Sequence, residues 1–307
     1  NSYMRSILIM LCTAAVFASC GDDDMTKNSF SEPTTPGLAY VVSDTTLQST
    51  YDAIISALEA NASISIIAEI DHKANAESIE EDIRETRVVL FGNPELGSPI
   101  LAINQMAGLD LPQKMLIYED ADDNVVVAYN STAYIGARHG VSDASTISMI
   151  STALRNLSQN NTGGTVTLNE SLEVSSDSGV TNVVSNNDFD TTYEKIRSII
   201  DSNPSAKLVA ELDHAANAQT VGKELNPTKL IVFGNPNFGT PLMQNSSTIA
   251  IDLPQKFLIW EDDSGVVTIS YNDPMYLKER HSISGQSETL DDISDALSGI
   301  ANSAASE

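Results

Sequence analysis

Cysteine and basic residues are both scarce in this sequence of 307 residues. Its two cysteines are Cys12 and Cys20, and Cys12 lies in an apolar stretch near the start, so a disulfide framework is excluded. Lysine and arginine number 16 against 42 aspartates and glutamates, which gives a formal net charge of −26. Such a chain repels phosphate backbones, so we expect no nucleic-acid partner. The hydrophobic content of 41% argues against wholesale disorder.

The first residues have the pattern of a targeting segment. Arg5 precedes the apolar run ILIMLCTAAVFA, which is short for a membrane span. Residues 1–19 resemble a bacterial lipoprotein signal peptide in which Cys20 is lipidated, although Phe17 stands where leucine is usual; a plain secretory signal is the alternative. Residues 20–36 are polar and acidic, as in a flexible tether. We therefore expect an acyl anchor in the lipid membrane of a bacterial cell envelope, with the outer membrane as its address.

Most of the remaining sequence is an internal repeat. AEIDHKANA at residues 68–76 returns as AELDHAANA after 142 residues, and FGNP and DLPQK recur at the same spacing. We call residues 37–157 the first repeat and residues 179–303 the second repeat. Residues 158–178 are rich in Asn, Ser and Gly, as expected of a linker. The sequence thus predicts two tandem domains, each long enough to bury its own core.

The apolar pattern within each repeat predicts a mixture of strands and helices. In the first repeat we expect strands at LAYVVS, SISIIAEI, RVVLF, KMLIYE and NVVVAYN. We expect helices at TLQSTYDAIISALEA, with Ser43 or Asp44 as its cap, at NAESIEEDI and near PILAINQM. KMLIYE and NVVVAYN are separated by a short acidic turn, which predicts a hairpin. The expected fold class is α+β, with two tandem copies of an antiparallel sheet packed with helices.

All four histidines belong to the repeated motifs. His72 and His214 end the strands of EIDH and ELDH, and His139 and His281 end helical segments. Strand alternation predicts that His72 closes an apolar row formed by Ile64, Ile66, Ala68 and Ile70. One interpretation is structural, with a core-edge histidine in the first pair and helix capping in the second.

A functional interpretation rests on the same histidines. Neutral imidazole is a common metal ligand and proton shuttle. If His72 and His139 converge, with Glu69, Asp71 or Asp110 nearby, they form a two-histidine-plus-carboxylate site for a transition metal, or a general base. The second repeat offers the equivalent set His214, His281, Asp213 and Asp252. The sequence has no HExxH motif, so the spacing does not require a metal.

Two further motifs supply candidate ligand-binding residues. FGNP, with Asn93 and Asn235, forms a glycine-punctuated loop whose amides can hold an anion, or a turn that leads into the next helix. The loop lacks the ending of a P-loop. In DLPQK, Lys114 and Lys256 can offer a charge to a ligand or pair with the aspartates of that motif.

Taken in order, E[IL]DHxANA, FGNP, G[ST]P, DLPQK, YN and RH resemble the bacterial family called domain of unknown function 302. The resemblance covers both repeats and implies a fold similar to the TATA-box-binding-protein class. It matches all four histidines to the histidine positions of the family, whose activity is not established. It also implies that the two repeats pair within the chain. Gly140 becomes Ser282, and NST at residues 130–132 replaces NDP, which puts in doubt how rigidly the first repeat holds His139.

Three hypotheses for function follow. The first, which we favour, is an envelope binding protein with one small-ligand or metal site per repeat, built from both histidines, FGNP and DLPQK. The second is an acid-base or metal-assisted hydrolase with His72 and His214 as bases, although no GxSxG motif is present. The third is a structural or interaction protein in which the histidines serve the fold.

Overall fold

The computed structural model describes residues 30–169 and 174–307, and each repeat forms the predicted α+β domain. Cys20 and the predicted signal segment lie outside the described residues. The first part of the chain contains β1 (Leu38–Ser43), α1 (Leu47–Glu59), β2 (Ser65–Asp71), α2 (His72–Glu77), β3 (Thr86–Gly92), α3 (Pro94–Ile103), a 3-10 helix (Gln105–Leu109), β4 (Gln113–Glu119), β5 (Val125–Asn130), α4 (Thr132–His139), α5 (Ile147–Asn160) and β6 (Thr167–Leu168). The second part contains β7 (Val180–Val184), α6 (Phe189–Ser202), β8 (Lys207–Asp213), α7 (His214–Thr220), β9 (Thr228–Gly234), α8 (Pro236–Asn245), a 3-10 helix (Ser247–Asp252), β10 (Gln255–Glu261), β11 (Val267–Asn272), α9 (Pro274–Arg280) and α10 (Ser287–Ala305).

Each repeat contains one antiparallel sheet. The strand order is β2-β3-β4-β5-β1-β6 in the first sheet and β7-β11-β10-β9-β8 in the second. The predicted hairpin of β4 and β5 is confirmed, with Ile117 opposite Val127. Strand β6 comes from the stretch predicted as a linker and pairs with β1 through Tyr40 and Thr167. Thr167 and Leu168 of the predicted linker therefore belong to the first sheet.

The two faces of the first sheet serve different cores. Met115 and Val127 face one side and pack in a cluster with α1 and α5. Leu116 and Ala128, one position along each strand, face the other side and join the core of the second repeat, which includes Leu258. Side chains alternate between the faces of a strand, so this division follows from the sequence register. Because burying one large aliphatic side chain contributes about 1.5–3 kcal/mol, the shared core stabilises the contact between the repeats.

Helices α1 and α2 begin at residues other than the predicted ones because other side chains cap their N-termini. Helix α1 begins after Thr46, whose hydroxyl accepts from the Ser49 amide at 3.2 Å, and neither predicted cap residue fills this role. Helix α2 was predicted within NAESIEEDI, but it begins at His72. The reason is that Asp71 accepts from the Ala74 amide at 2.9 Å and so starts the helix directly at the strand end.

The predicted apolar row along β2 is wrong in its first half. The register of β2 against β3 shifts between Ile66 and Ala68, where a bulge interrupts the alternation. Ile66 packs with the core formed by α1 and α5, whereas Ala68 and Ile70 pack with the core shared between the repeats. The bulge therefore turns the end of the strand, and His72 after it, toward the second repeat.

Candidate functional site

The structure divides the predicted site residues between two kinds of location. The second histidine of each repeat meets the DLPQK residues at the contact between the repeats. The first histidine of each repeat lines a pocket of the other repeat, together with the FGNP loop of that repeat. The predicted single site containing both histidines of one repeat does not form from these residues.

Buried acidic and basic side chains from both repeats form what we call the inter-repeat polar cluster. Asp110 Oδ2 lies 2.8 Å from Arg138 Nη1 and 2.7 Å from His139 Nε2. The second repeat reproduces this arrangement, with Asp252 Oδ2 at 2.8 Å from Arg280 Nη1 and 2.6 Å from His281 Nε2. The cluster consists of Asp110, Lys114, Arg138, His139, Asp252, Lys256, Arg280 and His281, all of them buried.

The arginines of this cluster connect the two repeats. Arg138 Nη2 donates to Asn272 Oδ1 of the second repeat at 2.7 Å. Arg280 Nη2 donates to Asn130 Oδ1 of the first repeat at 2.6 Å. A planar guanidinium reaches a carboxylate and a second acceptor at once, which lysine cannot do in the same geometry. Each arginine therefore fixes its own aspartate and the sheet of the other repeat.

The two lysines of the cluster behave differently. Lys114 forms the expected ion pair, with Nζ at 3.3 Å from Asp252 Oδ1 and 3.7 Å from Asp110 Oδ1. Lys256 instead donates to the carbonyl oxygen of Leu109, so its predicted ion pair with an aspartate is wrong for the described residues. Burial and the neighbouring Lys114 ammonium hold the pKa of Lys256 well below its ordinary value. One amine of the pair is thus favoured in its neutral form, which avoids two adjacent buried cations.

The aspartates of the cluster are ionised despite their burial. Burial by itself raises the pKa of Asp110, but Arg138, His139 and Lys114 outweigh it and hold the pKa well below its usual range. The pKa of Asp252 is lowered in the same way, chiefly by Arg280 and Lys114. The cluster is a set of mutually satisfied charges, and its contacts give it a structural role in joining the repeats.

The first pocket, as we call the cavity of the first repeat, has a volume of about 530 Å³. Its size lies within the range of small-molecule sites. Its first-repeat residues are Ala57, Leu58, Asn61, Ile64, Ser65, Ile67, Phe91, Gly92, Asn93, Pro94, Leu96, Gly97, Ser98, Leu101, Leu111, Pro112, Gln113, Ile150, Ala153, Leu154 and Leu157. The second repeat adds Leu212, His214 and Asn217. Within the described part of the chain, none of these lining residues is an Asp, Glu, Lys or Arg.

His214 reaches the first pocket because α7 starts at the end of β8. Asp213 caps α7 by accepting from the Ala216 amide at 2.9 Å, as its counterpart Asp71 does for α2. A Cβ atom on Gly108 would lie 2.7 Å from Leu258 and 3.4 Å from His214 Nε2. The missing side chain of Gly108 therefore allows the second repeat to approach this closely.

His214 is a neutral base in this position. It is 6% exposed, and burial lowers its pKa to about 4, although a backbone group of Leu111 acts in the opposite direction. His72 is equally buried, and burial lowers its pKa to about 4 as well. Over residues 30–169 and 174–307, the Nε2 atoms of both histidines have no hydrogen-bond partner. Both atoms are enclosed by protein, and His214 Nε2 lies beside Gly108, which is not a lining residue of the first pocket. Each histidine therefore lines its pocket without presenting Nε2 to it.

Gln113 is a second neutral polar residue in the lining of the first pocket. The residue is 9% exposed, and its Nε2 is enclosed by protein and has no partner among the described residues. A neutral amide adds polarity to the lining without adding a charge. The chemistry of the first pocket is therefore apolar and uncharged, with a few neutral polar groups.

The FGNP asparagines act mainly in helix capping. Asn93 Oδ1 accepts from the Glu95 amide at 3.0 Å, and Asn235 Oδ1 accepts from the Asn237 amide at 3.0 Å. Pro94 follows as the first residue of α3. The loop is therefore the turn into a helix that sequence analysis offered as the alternative to an anion site, and it also shapes the wall of each pocket.

The predicted transition-metal site has no ligand cluster in this structure. Residues 30–169 and 174–307 contain no group of three or more His, Cys, Asp or Glu side chains placed to hold a metal ion. Asp110 binds both His139 and Arg138, while His72 lines a pocket of the second repeat. The physical reason is that the bulge in β2 directs His72 away from the first repeat.

Sequence analysis missed several residues of the first pocket. Gln113 and Asn217 lie inside the DLPQK and DHxANA motifs, so their repetition was visible, but nothing in the motifs indicated a shared cavity. Leu96, Leu101 and Leu154 had no signal beyond ordinary core patterning. A pocket between helices and a sheet edge depends on how closely the elements pack, which periodicity does not report.

Comparison with known proteins gives matches to proteins named as fluoride-specific ion channels, and each match covers only part of both chains. The chain is 43% identical over 107 residues to "Fluoride-specific ion channel FluC 1" of Brucella suis biovar 1 (strain 1330), which covers 35% of this chain and 42% of that protein. The match to the protein of the same name from Brucella abortus biovar 1 (strain 9-941) has the same identity and covers 39% of that protein. The chain thus spans about two fifths of the length of these relatives. In the ranges that the structure describes, no helix has the length and apolar character needed to cross a bilayer.

A solved structure and a family profile give the remaining comparisons. The crystal structure of an uncharacterized conserved protein DUF302 from Bacillus stearothermophilus matches with a TM-score of 0.38 and 15% identity, over 41% of this chain and 98% of that chain. The profile of one family matches residues 39–157 and again residues 181–301, which together form most of the chain. Both repeats therefore belong to the same family, and the chain is a tandem member of the family described as Domain of unknown function DUF302.

Proposed function

We propose that this protein binds a small, uncharged and mainly apolar molecule in the first pocket. The observation that carries the proposal is a cavity of about 530 Å³ whose lining contains no charged residue in the described ranges, in a chain of net charge −26. Gln113 and His214 place neutral polar groups in its wall. A ligand with an apolar body and at most a few uncharged polar groups matches this lining.

Any polar group of the ligand is expected to be uncharged. A carboxylate or ammonium would lose its hydration on entering the pocket without gaining an opposite charge, which costs several kcal/mol (about 3–5) or more. With its pKa lowered to about 4, His214 does not supply a compensating positive charge at neutral pH. The pocket is thus selective by exclusion of charge as well as by shape.

Two related fluorescent probes test this proposal. N-phenyl-1-naphthylamine is neutral and apolar, whereas 8-anilino-1-naphthalenesulfonate has a similar body with a sulfonate. We expect saturable binding of the neutral probe and weaker binding of the sulfonate in the first pocket. Equal affinity for both probes would contradict the uncharged ligand class, and no saturable binding of the neutral probe would contradict the function.

A matched pair of variants shows where the probe binds. Ala153 and Ala296 occupy equivalent positions on α5 and α10, are exposed, and line the pockets of the first and second repeats. Ala153→Trp should obstruct the first pocket and abolish most of the probe signal. Ala296→Trp should leave the signal unchanged, and it controls for the effect of an added tryptophan on this surface.

We further propose that the chain is a lipoprotein anchored in the bacterial cell envelope through Cys20. The support is the sequence alone: an apolar run, two small residues before the cysteine and an acidic tether after it. Metabolic labelling with an alkyne fatty acid should modify the wild type and not Cys20→Ser. Equal labelling of both, or of neither, would contradict the anchor.

A further inference from the structure

We infer that Phe238 and Met243 close the pocket of the second repeat, so that the chain binds one ligand molecule rather than two. We call this cavity the second pocket; its volume is about 110 Å³. This inference rests on the proposed function, since it assigns the ligand to one of two homologous sites. Phe238 and Met243 are then the residues that determine how many ligand molecules one chain binds.

The two pockets share part of their polar lining. Gln113 and His214 in the first pocket correspond to Gln255 and His72 in the second pocket. Each histidine is supplied by the opposite repeat.

Two other polar residues differ between the pockets. Lys207 stands at the position of Ser65, and Thr240 stands at the position of Ser98. Lys207 is exposed and Thr240 adds a single methyl group, so the larger additions to the enclosed lining are apolar.

Two apolar substitutions add side-chain length in the second pocket. Phe238 stands at the position of Leu96, and Met243 stands at the position of Leu101. A phenyl ring is larger than the side chain of leucine, and methionine is unbranched and fills irregular gaps. Both changes add side-chain atoms to the lining of the second pocket.

The surroundings of two equivalent glycines show this filling directly. A Cβ atom on Gly97 would meet no other described atom within 4 Å. A Cβ atom on Gly239, its counterpart, would lie 3.8 Å from Met243 Cε and 3.6 Å from Leu253 Cδ1. The methionine side chain thus extends over the helix segment that faces empty space in the first repeat.

Other differences between the pockets act in the opposite direction. Ala206 replaces Ile64 and Val209 replaces Ile67, and both replacements remove volume from the lining. The second pocket is nevertheless the smaller one. The longer side chains at positions 238 and 243, with smaller additions such as the methyl group of Thr240, therefore outweigh the shorter ones at positions 206 and 209.

Exchanging the two pairs of residues tests the inference. The opening variant is Phe238→Leu with Met243→Leu, and the closing variant is Leu96→Phe with Leu101→Met. Equilibrium dialysis with N-phenyl-1-naphthylamine measures the number of bound probe molecules per chain. We expect one for the wild type, two for the opening variant, and an affinity weakened about tenfold or more for the closing variant, because overfilling a cavity is unfavourable.

The outcomes separate this inference from the proposed function. Two equivalent sites in the wild type would overturn the inference and leave ligand binding intact. One site in both the wild type and a folded opening variant would also overturn it. No binding in the wild type or in the opening variant would overturn the proposed function and the inference together. Thermal unfolding of each variant shows whether it is folded at the temperature of the dialysis.

Discussion

The two halves of the inter-repeat polar cluster have the same charged residues but different second partners. In the second repeat, His281 Nδ1 lies 2.9 Å from the hydroxyl oxygen of Thr248, which in turn lies 2.7 Å from that of Thr35. In the first repeat Met106 stands at the position of Thr248, and His139 Nδ1 has no partner within the described residues. Both histidines bind their aspartates through Nε2.

This comparison shows which contacts are the same in both repeats and which differ. The aspartate, arginine and histidine contacts are present in both repeats at nearly the same distances, because each aspartate balances buried positive charge. The contact of the histidine Nδ1 atom differs between the repeats, since a single missing hydrogen bond costs far less than an uncompensated ion. The pockets follow a similar rule, with the same glutamine and histidine positions and different apolar linings.

The largest expected effect comes from removing an aspartate of the cluster. Asp252→Asn leaves Arg280 without its charge partner and Lys114 with only Asp110, 3.7 Å away, and should lower the free energy of unfolding by about 3–5 kcal/mol. Asp110→Asn should be nearly as damaging, because Arg138 loses the same kind of partner. Urea unfolding measures both. Asp292→Asn on the exposed side of α10 is the control, and losses as small as for this control would contradict the role of the cluster.

Acidification should weaken the fold through His72 and His214. Their pKa is near 4 in the folded chain and near 6.5 when unfolded, so the unfolded state binds more protons between these values. Their contribution is complete above pH 6.5 and is lost as the pH falls toward 4, by about 2 kcal/mol per histidine at pH 5. Urea unfolding at pH 7.5 and pH 5 measures the loss. The double variant His72→Gln with His214→Gln should flatten this dependence; an unchanged slope would contradict the assignment.

A smaller effect distinguishes the two histidines of the cluster. Thr248→Val removes the second partner of His281 and should destabilise the protein by about 1–3 kcal/mol, since a buried polar atom is left without a hydrogen bond. Met106→Thr offers His139 the same partner and should stabilise by at most about 1 kcal/mol. Thermal unfolding of both variants tests the comparison. A stabilising Thr248→Val would show that this hydrogen bond is not needed.

The smallest effect concerns the residue after each of these histidines. Ser282 has φ +53° and Gly140 has φ +65°, in the left-handed region that favours glycine. Ser282→Gly should therefore stabilise by about 1 kcal/mol, and Gly140→Ser should destabilise by a similar amount. Chemical denaturation compares the two. Opposite signs would indicate that the serine hydroxyl compensates for the backbone conformation.

The sequence predicts the repeat, the strands and the fold class because these depend on local patterns. Alternation in KMLIYE and NVVVAYN predicts the hairpin, and it is confirmed by the pairing of Ile117 with Val127. The burial of Lys114 on the same face as Leu116 also follows from alternation. Alternation does not indicate what packs against that face, which in the structure is the other repeat.

The candidate site was less accessible to sequence analysis than the fold. The four histidines were found, but the bulge after Ile66 changes the direction of His72, and nothing in the strand sequence indicates it. His72 lies in the second pocket and His214 lies in the first pocket. This placement depends on the contact between the two domains, which involves residues far apart in the chain. The leucines of the first pocket have the same pattern as any packed core.

Histidine side-chain NMR tests the central claim most directly, because the chain has only four histidines. Protein labelled with 15N at histidine is titrated with N-phenyl-1-naphthylamine at neutral pH. Binding in the first pocket predicts that the His214 resonances shift, while those of His72 in the second pocket and of the two cluster histidines do not. Assignment uses the His→Gln variant at each position. Shifts at His72 with His214 unchanged, or a bound probe that shifts no histidine, would contradict the account.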